Sequence, residues 1–209
     1  MAEALSAAGT TVRPMTVADI DAIVELQLAF LEGSIITALG PGFLVAFYRA
    51  ALAHPHTLAF VAAEDAGAGA GGGPVVGFAL ATLDVGAFNA HVKPRVLRAL
   101  ALAVLSPRGW RLAWSIVRGI GEPEPQPYMP AELLLLVVDS RVRRRRIGHT
   151  LLTELEAAFA RAQAARYRVA VRSHLAVARA FYLALGFEPE QQLLVLGHPM
   201  TYLTKRVAR

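Results

Sequence analysis

The chain has 209 residues, of which 55% are hydrophobic and 18% charged, and it contains no cysteine. These values exclude a disordered chain, a disulfide framework and any thiolate site, and the length suits a single domain with a sizeable core. Twenty-one basic and sixteen acidic residues give a net charge of +5, and five arginines lie within Arg141–Arg146. The excess is therefore local, which indicates an anionic ligand at one place and argues against a nucleic-acid surface.

The first half of the chain mixes strand and helix patterns. In chain order it predicts a strand over Thr11–Met15, a helix capped by Asp19 with apolar residues at helical spacing (Ile20, Ile23, Val24, Leu28), a helix from about Pro41 to just before Pro55, and strands over Thr57–Ala63 and Val75–Leu83. The Ala/Gly tract Ala66–Gly73 joins the two strands, so we expect a hairpin with a flexible surface loop.

Gly86–Pro130 has a different character and predicts a helical insertion. Pro94 and Pro107 predict two helix starts, and the second helix has a basic face (Arg108, Arg111, Arg118) and an apolar face with Trp110 and Trp114. Three interpretations stay open: a flap over the core, a lid over a substrate site, and a helix that touches a membrane surface.

The second half predicts a strand–helix–strand unit with parallel strands, followed by a short helix and two closing strands. The ranges are Glu132–Asp139, Ile147–Gln163, Tyr167–Ser173, Ala176–Leu185, Gln191–Leu196 and Met200–Lys205, with Gly197, His198 and Pro199 in the last turn. The arginine run lies between the first strand and its helix. A helix start presents unpaired N–H groups and positive dipole, so this joint is a candidate anion site.

Two stretches of sequence resemble the GCN5-related N-acetyltransferase (GNAT) superfamily. Residues 138–152 resemble its acyl-CoA-binding motif, Arg/Gln-x-x-Gly-x-Gly/Ala, with Arg143 and Gly148 at the first and last positions. Arg146 stands where the family usually has glycine, and it either crowds the diphosphate or adds a phosphate contact. Residues 178–188 resemble the Ala-x-x-Phe-Tyr-x-x-x-Gly-Phe signature, and Leu175 stands where many members have an asparagine that touches the cofactor.

The resemblance implies an α/β (α+β) fold with a mixed, mostly antiparallel central sheet, splayed parallel strands, flanking helices and the helical insertion, in one domain over residues 1–209. It implies acetyl-CoA as acyl donor and no metal. The donor would be bound by residues of the strand and of the following helix start: Leu136, Val137, Val138, Arg143, Arg144, Arg145, Arg146, Ile147, Gly148, His149 and Thr150. Pantetheine would lie between the splayed strands like an added strand, with the thioester carbonyl near the backbone N–H of Val138.

The resemblance also assigns two catalytic residues. Tyr182 resembles the tyrosine that protonates the departing thiolate, and Glu132 resembles the general-base glutamate of the histone-acetylating members. His149 and His174 are alternative bases, and core packing is the alternative role for Tyr182.

The expected function is acetyl transfer to an amine by direct attack through a tetrahedral intermediate. The acceptor class, a small molecule or a peptide, stays open, as do a homodimer and a peripheral membrane contact. The alternative is a non-catalytic binding or regulatory protein on the same fold, whose insertion docks a partner or a membrane surface. No apolar run reaches the roughly 18 residues of a spanning helix, and Met1–Thr11 has no signal-peptide pattern, so we expect a cytoplasmic location.

Overall fold

The computed structural model describes residues 6–7, 9–31, 34–65, 73–104, 128–142, 146–195 and 197–208. The strands are β1 (Ser6–Ala7), β2 (Thr10–Pro14), β3 (Thr57–Glu64), β4 (Val75–Thr82), β5 (Glu132–Val138), β6 (Arg166–Arg172), β7 (Glu188–Val195) and β8 (His198–Arg206). The helices are α1 (Ile20–Phe30), α2 (Ile35–Ala38), α3 (Pro41–Leu52), α4 (Val85–Val104), α5 (Ile147–Arg161) and α6 (Ala176–Ala184). Short 3-10 turns cover Val17–Asp19 and Ser140–Val142.

The strands form one sheet in the order β1-β2-β3-β4-β5-β6-β8-β7. Every neighbouring pair in this sheet is antiparallel except β5 and β6, which run parallel on either side of the connecting helix α5. The predicted mixed sheet, the hairpin of β3 and β4 and the parallel strand–helix–strand unit are confirmed.

Helices cover both faces of the sheet and enclose two apolar cores. Residues of α5, spaced so that Leu151, Leu155 and Phe159 share one side, pack on one face, and α1, α3 and α4 pack on the other. Gly77 of β4 lies under α5, where an added Cβ would be 3.0 Å from the carbonyl oxygen of Val137. This glycine lets α5 lie close to the sheet beside the end of β5.

The predicted helix start at Pro94 is wrong, because α4 begins at Val85 and Pro94 lies inside it. The carboxylate of Asp84 accepts a hydrogen bond from the backbone N–H of Ala87 (3.0 Å) and thereby caps the start of α4. Pro94 is exposed, so the carbonyl that loses its helical partner lies where water can reach it.

Smaller differences concern caps and turns. Asp19 precedes α1 as predicted, but its carboxylate accepts hydrogen bonds from Thr16 and Arg13, and none from the first turn of α1. His198 and Pro199 belong to β8 and lie outside the turn. The tract 66–72 and residues 105–127 of the insertion, with Pro107 and both tryptophans, lie outside the described residues. None of the helices that the structure describes is long and apolar enough to cross a bilayer.

Candidate active site

The parallel strands β5 and β6 separate to form a fork. Within the described chain they are in register only at Glu132 with Arg168 and Leu133 with Val169. On its other edge β5 stays paired with β4 as far as Val138, with a register shift after Leu133. A bulge bends the strand that carries it, and here the bend coincides with the point where β5 leaves β6. The predicted splay is confirmed.

The fork leaves one backbone edge of β5 without a strand partner. The N–H of Asp139 donates to the carbonyl of Val76 (2.9 Å), and the carbonyl of Val137 lies over Gly77, so both groups face β4. Because successive residues of a strand direct their backbone groups to opposite edges, those of Leu136 and Val138 face the fork. An extended chain with amide groups could pair there as an added strand.

The N-terminus of α5 lies beside the end of the open edge, after the 3-10 turn Ser140–Val142. Arg146 is the residue before the helix. The N–H groups of Ile147, Gly148 and His149 have no carbonyl of the same helix to bind, because no helical turn precedes them. The N–H of Thr150 is the first that does, and it donates to the carbonyl of Arg146 (2.9 Å). A Cβ on Gly148 would be 3.4 Å from the ring of Phe181 and 3.6 Å from Val138. The glycine therefore keeps this helix start close to the end of β5 and to α6.

Arg146 has a left-handed backbone, with φ 59° and ψ 14°. This conformation favours glycine and costs other residues roughly 1 kcal/mol or more. It gives a physical reason for a glycine at this position of the motif. The Arg146 side chain is exposed.

The arginines of the run do not share one role. The guanidinium of Arg141 is bound to the buried carboxylate of Asp139 (2.6 Å), and this hydrogen bond raises the pKa of Arg141. The guanidinium of Arg141 is thus already paired within the chain. Arg143, Arg144 and Arg145 lie outside the described residues.

Leu175, at the N-cap position of α6, is 42% exposed and offers the helix no capping oxygen.

Tyr182 lies on the buried side of α6. Its ring packs edge-on against Phe181 and Phe187, with centroids 5.2 and 5.1 Å away. Burial raises the pKa of its hydroxyl, so the group keeps its proton at neutral pH. No hydrogen bond of this hydroxyl is found among the described residues.

Glu132 is part of an ion pair that the sequence analysis missed. Its Oε2 accepts a hydrogen bond from Nε of Arg168 (2.8 Å), at the closed end of the fork. The Glu132 and Arg168 side chains are 13% and 4% exposed. The only signal in the sequence is an arginine inside an otherwise strand-like run, 36 positions downstream. His149 and His174 are both exposed, in the first turn of α5 and in the turn after β6.

A sheet with a forked parallel pair, and a helix N-terminus beside the fork, is the arrangement that the family resemblance implies. Residues 122–196, just over a third of the chain, match the family model of the acetyltransferase (GNAT) domain. No curated protein matches the sequence.

Solved structures match the whole fold. SsHAT superposes with a TM-score of 0.64 at 23% identity, over 96% of this chain and 100% of that one. NAA60 of Arabidopsis thaliana, in complex with acetyl-CoA, gives 0.60 at 12% identity, over 95% and 98%. The ribosomal-protein-S18-alanine N-acetyltransferase of Escherichia coli gives 0.59 at 13%, over 96% and 95%. Residues 122–196 thus resemble a GNAT acetyltransferase domain, and the chain shares the fold of these solved structures, so the predicted resemblance and the fold that it implies are confirmed.

Proposed function

We propose that the chain is an N-acyltransferase that moves an acetyl group from acetyl-CoA to an amine. The observation that carries this proposal is the open backbone edge of β5, which leads from the closed end of the fork to the N-terminus of α5. The edge offers amide partners to pantetheine, and the helix start offers N–H groups and positive dipole to a diphosphate. Gly148 allows a close approach, and Arg143, Arg144, Arg145 and Arg146 add positive charge.

The thioester carbonyl would accept a hydrogen bond from the N–H of Val138, which faces the fork. This contact polarises the carbonyl and stabilises the oxyanion that forms when the amine nitrogen attacks the carbonyl carbon. Leu136, through its own backbone groups on the same edge, would hold the pantetheine arm, and Val137 supports the edge from the β4 side. The reaction then needs one proton removed from the amine and one delivered to the thiolate.

Tyr182 is proposed as the acid. Its buried hydroxyl keeps its proton at neutral pH and, when the carbon–sulfur bond breaks, gives that proton to the thiolate. Glu132 is proposed as the base that takes the proton of the attacking nitrogen. Arg168 binds its carboxylate, and 13% of its side chain is exposed, which is the route by which an acceptor would reach it at the closed end of the fork.

The acceptor is proposed to be a small-molecule or peptide amine. One neighbour by fold is named for the alanine of ribosomal protein S18, and the NatC complex was solved with a Gag peptide and CoA. Peptide amines therefore belong in any acceptor screen. The insertion, which enters after β4 and returns to Glu132, is proposed to shape the acceptor pocket.

The test is a titration with acetyl-CoA followed by a screen of amines for release of free thiol. Binding together with thiol release by at least one amine supports the proposal. Binding without release by any amine favours the non-catalytic protein, and absence of binding overturns the donor assignment.

A further inference from the structure

One face of β6 is basic. Tyr167, Val169 and Val171 point into the core under α5, so Arg166, Arg168 and Arg172 point to the opposite face. The Arg166 guanidinium donates to the hydroxyl of Thr204 (3.2 Å). Arg168 is the buried member of the set, beside Glu132 at the closed end of the fork.

Arg168 has more hydrogen-bonding capacity than its partners use. Its Nε binds Glu132, and its guanidinium carbon lies 5.4 Å from the centroid of the Tyr202 ring. Its Nη1 is buried and has no hydrogen-bond partner among the described residues. A buried cationic donor without an acceptor is costly, so this nitrogen is expected to have one in the working complex.

A second donor without a partner lies on the other side of Tyr202. Gln191 of β7 is the register partner of Tyr202, so the two side chains emerge on the same face. Nε2 of Gln191 is also buried and unpartnered. The bulged residue Glu190, whose Oε2 is buried without a partner, does not bond this amide. Two donors without acceptors, one of them cationic, therefore lie on the same face of the sheet, on the two strands that flank β8.

We propose that Arg168 and Gln191 select an acceptor that carries an anionic group, a carboxylate or a phosphate, close to its amine. The proposal rests on the proposed function. An acyl chain that enters the fork from the α5 side leaves the opposite face to the amine, and that face carries Arg168. Because one guanidinium holds both Glu132 and the anionic group, it places the acceptor amine beside the proposed base.

The experiment compares matched acceptor pairs: an amino acid and its amide, a tetrapeptide with Glu or Gln in second position, and O-phosphoethanolamine and ethanolamine. The anionic member of at least one pair is expected to have a kcat/KM about ten- to a hundredfold higher. If only the carboxylate pairs, or only the phosphate pair, show the preference, that result identifies the anion that the site recognises.

Three variants locate the recognition. Arg168→Gln is expected to abolish the preference for the anionic acceptor. Gln191→Leu leaves the Glu132–Arg168 pair intact and is expected to reduce the preference severalfold. The second variant keeps the test available if Arg168→Gln does not fold. Arg166→Gln, on the same face but bound to Thr204, is the control and is expected to keep the preference.

Two results would overturn the proposal: equal kcat/KM for both members of every pair, or a preference that survives both Arg168→Gln and Gln191→Leu. Either would indicate that water satisfies the two donors. Absence of thiol release from all pairs overturns it as well. Acetyl-CoA binding, measured in parallel, then shows whether the proposed function has failed too.

Discussion

Replacing Arg146 by glycine is expected to stabilise the protein. Arg146 pays for a left-handed backbone at φ 59°, and glycine does not. The cost of this conformation, about 1 kcal/mol, corresponds to a rise in Tm of roughly 2–4 °C for a chain of this size. Arg146→Ala is the matched variant, because it removes the guanidinium and keeps the strain.

Thermal unfolding of the three proteins separates the two contributions. The difference between the glycine and alanine variants measures the strain, and the difference between alanine and the wild type measures the exposed side chain. Gln163, at the end of α5, has the same φ of 59° and lies away from the helix start. Gln163→Gly is therefore expected to raise Tm without changing acetyl-CoA binding. An Arg146→Gly protein no more stable than Arg146→Ala would refute the reasoning.

Acetyl-CoA titrations of the same variants decide what the Arg146 side chain does. If the exposed guanidinium contacts a phosphate, both variants lose affinity by up to about fivefold at low salt, since exposed charge pairs contribute roughly 0.2–1 kcal/mol. If the side chain crowds the diphosphate, both variants bind more tightly.

Three further predictions concern single side chains. Tyr182→Phe is expected to lower kcat by about a hundredfold and to leave acetyl-CoA affinity within a factor of two, because a proton donor acts in the transition state. Unchanged turnover in a chemistry-limited assay would show that Tyr182 is a packing residue. Leu175→Asn supplies the capping oxygen that α6 lacks and is expected to add about 1 kcal/mol to the free energy of unfolding, whereas Leu175→Ala is not. The hydrogen bond from Arg13 lowers the pKa of Asp19 to about 2 from 3.8, so the stabilisation from this ion pair is complete above about pH 5 and is lost as the pH falls towards 2 and below. Asp19→Asn should therefore cost about 1–2 kcal/mol in urea unfolding at pH 7 and nearly nothing at pH 2; an equal cost at both pH values would contradict this assignment.

Much of the fold is predictable because its signals are local. The spacing of Leu151, Leu155 and Phe159 predicts the helix face that packs on the sheet, and the apolar run over β5 predicts a strand. The expectation that this strand is buried holds only for Leu133 and Val137. The fork follows from the family resemblance rather than from periodicity. Pro94 misled the prediction because a proline inside a helix and a proline at its start look alike in sequence, and the Asp84 cap decides between them.

The chemistry of the site depends on contacts that sequence spacing does not encode. The pairing of Glu132 with Arg168 depends on which residues of two distant strands come into register. Arg141 looks equivalent to its neighbours in the run, and only the structure shows that it is paired with Asp139. The left-handed backbone at Arg146 was not predicted either, although the glycine that the motif has at this position now has a physical reason.

The most direct test of the central claim is a calorimetric titration of the protein with acetyl-CoA at about 50 and 300 mM salt, on the wild type and on an Arg143→Gln/Arg145→Gln double variant. If the fork and the start of α5 hold an acyl-CoA, one molecule binds per chain, and its affinity falls with salt and again in the double variant. No heat of binding, or an affinity that neither salt nor the double variant changes, would contradict the account.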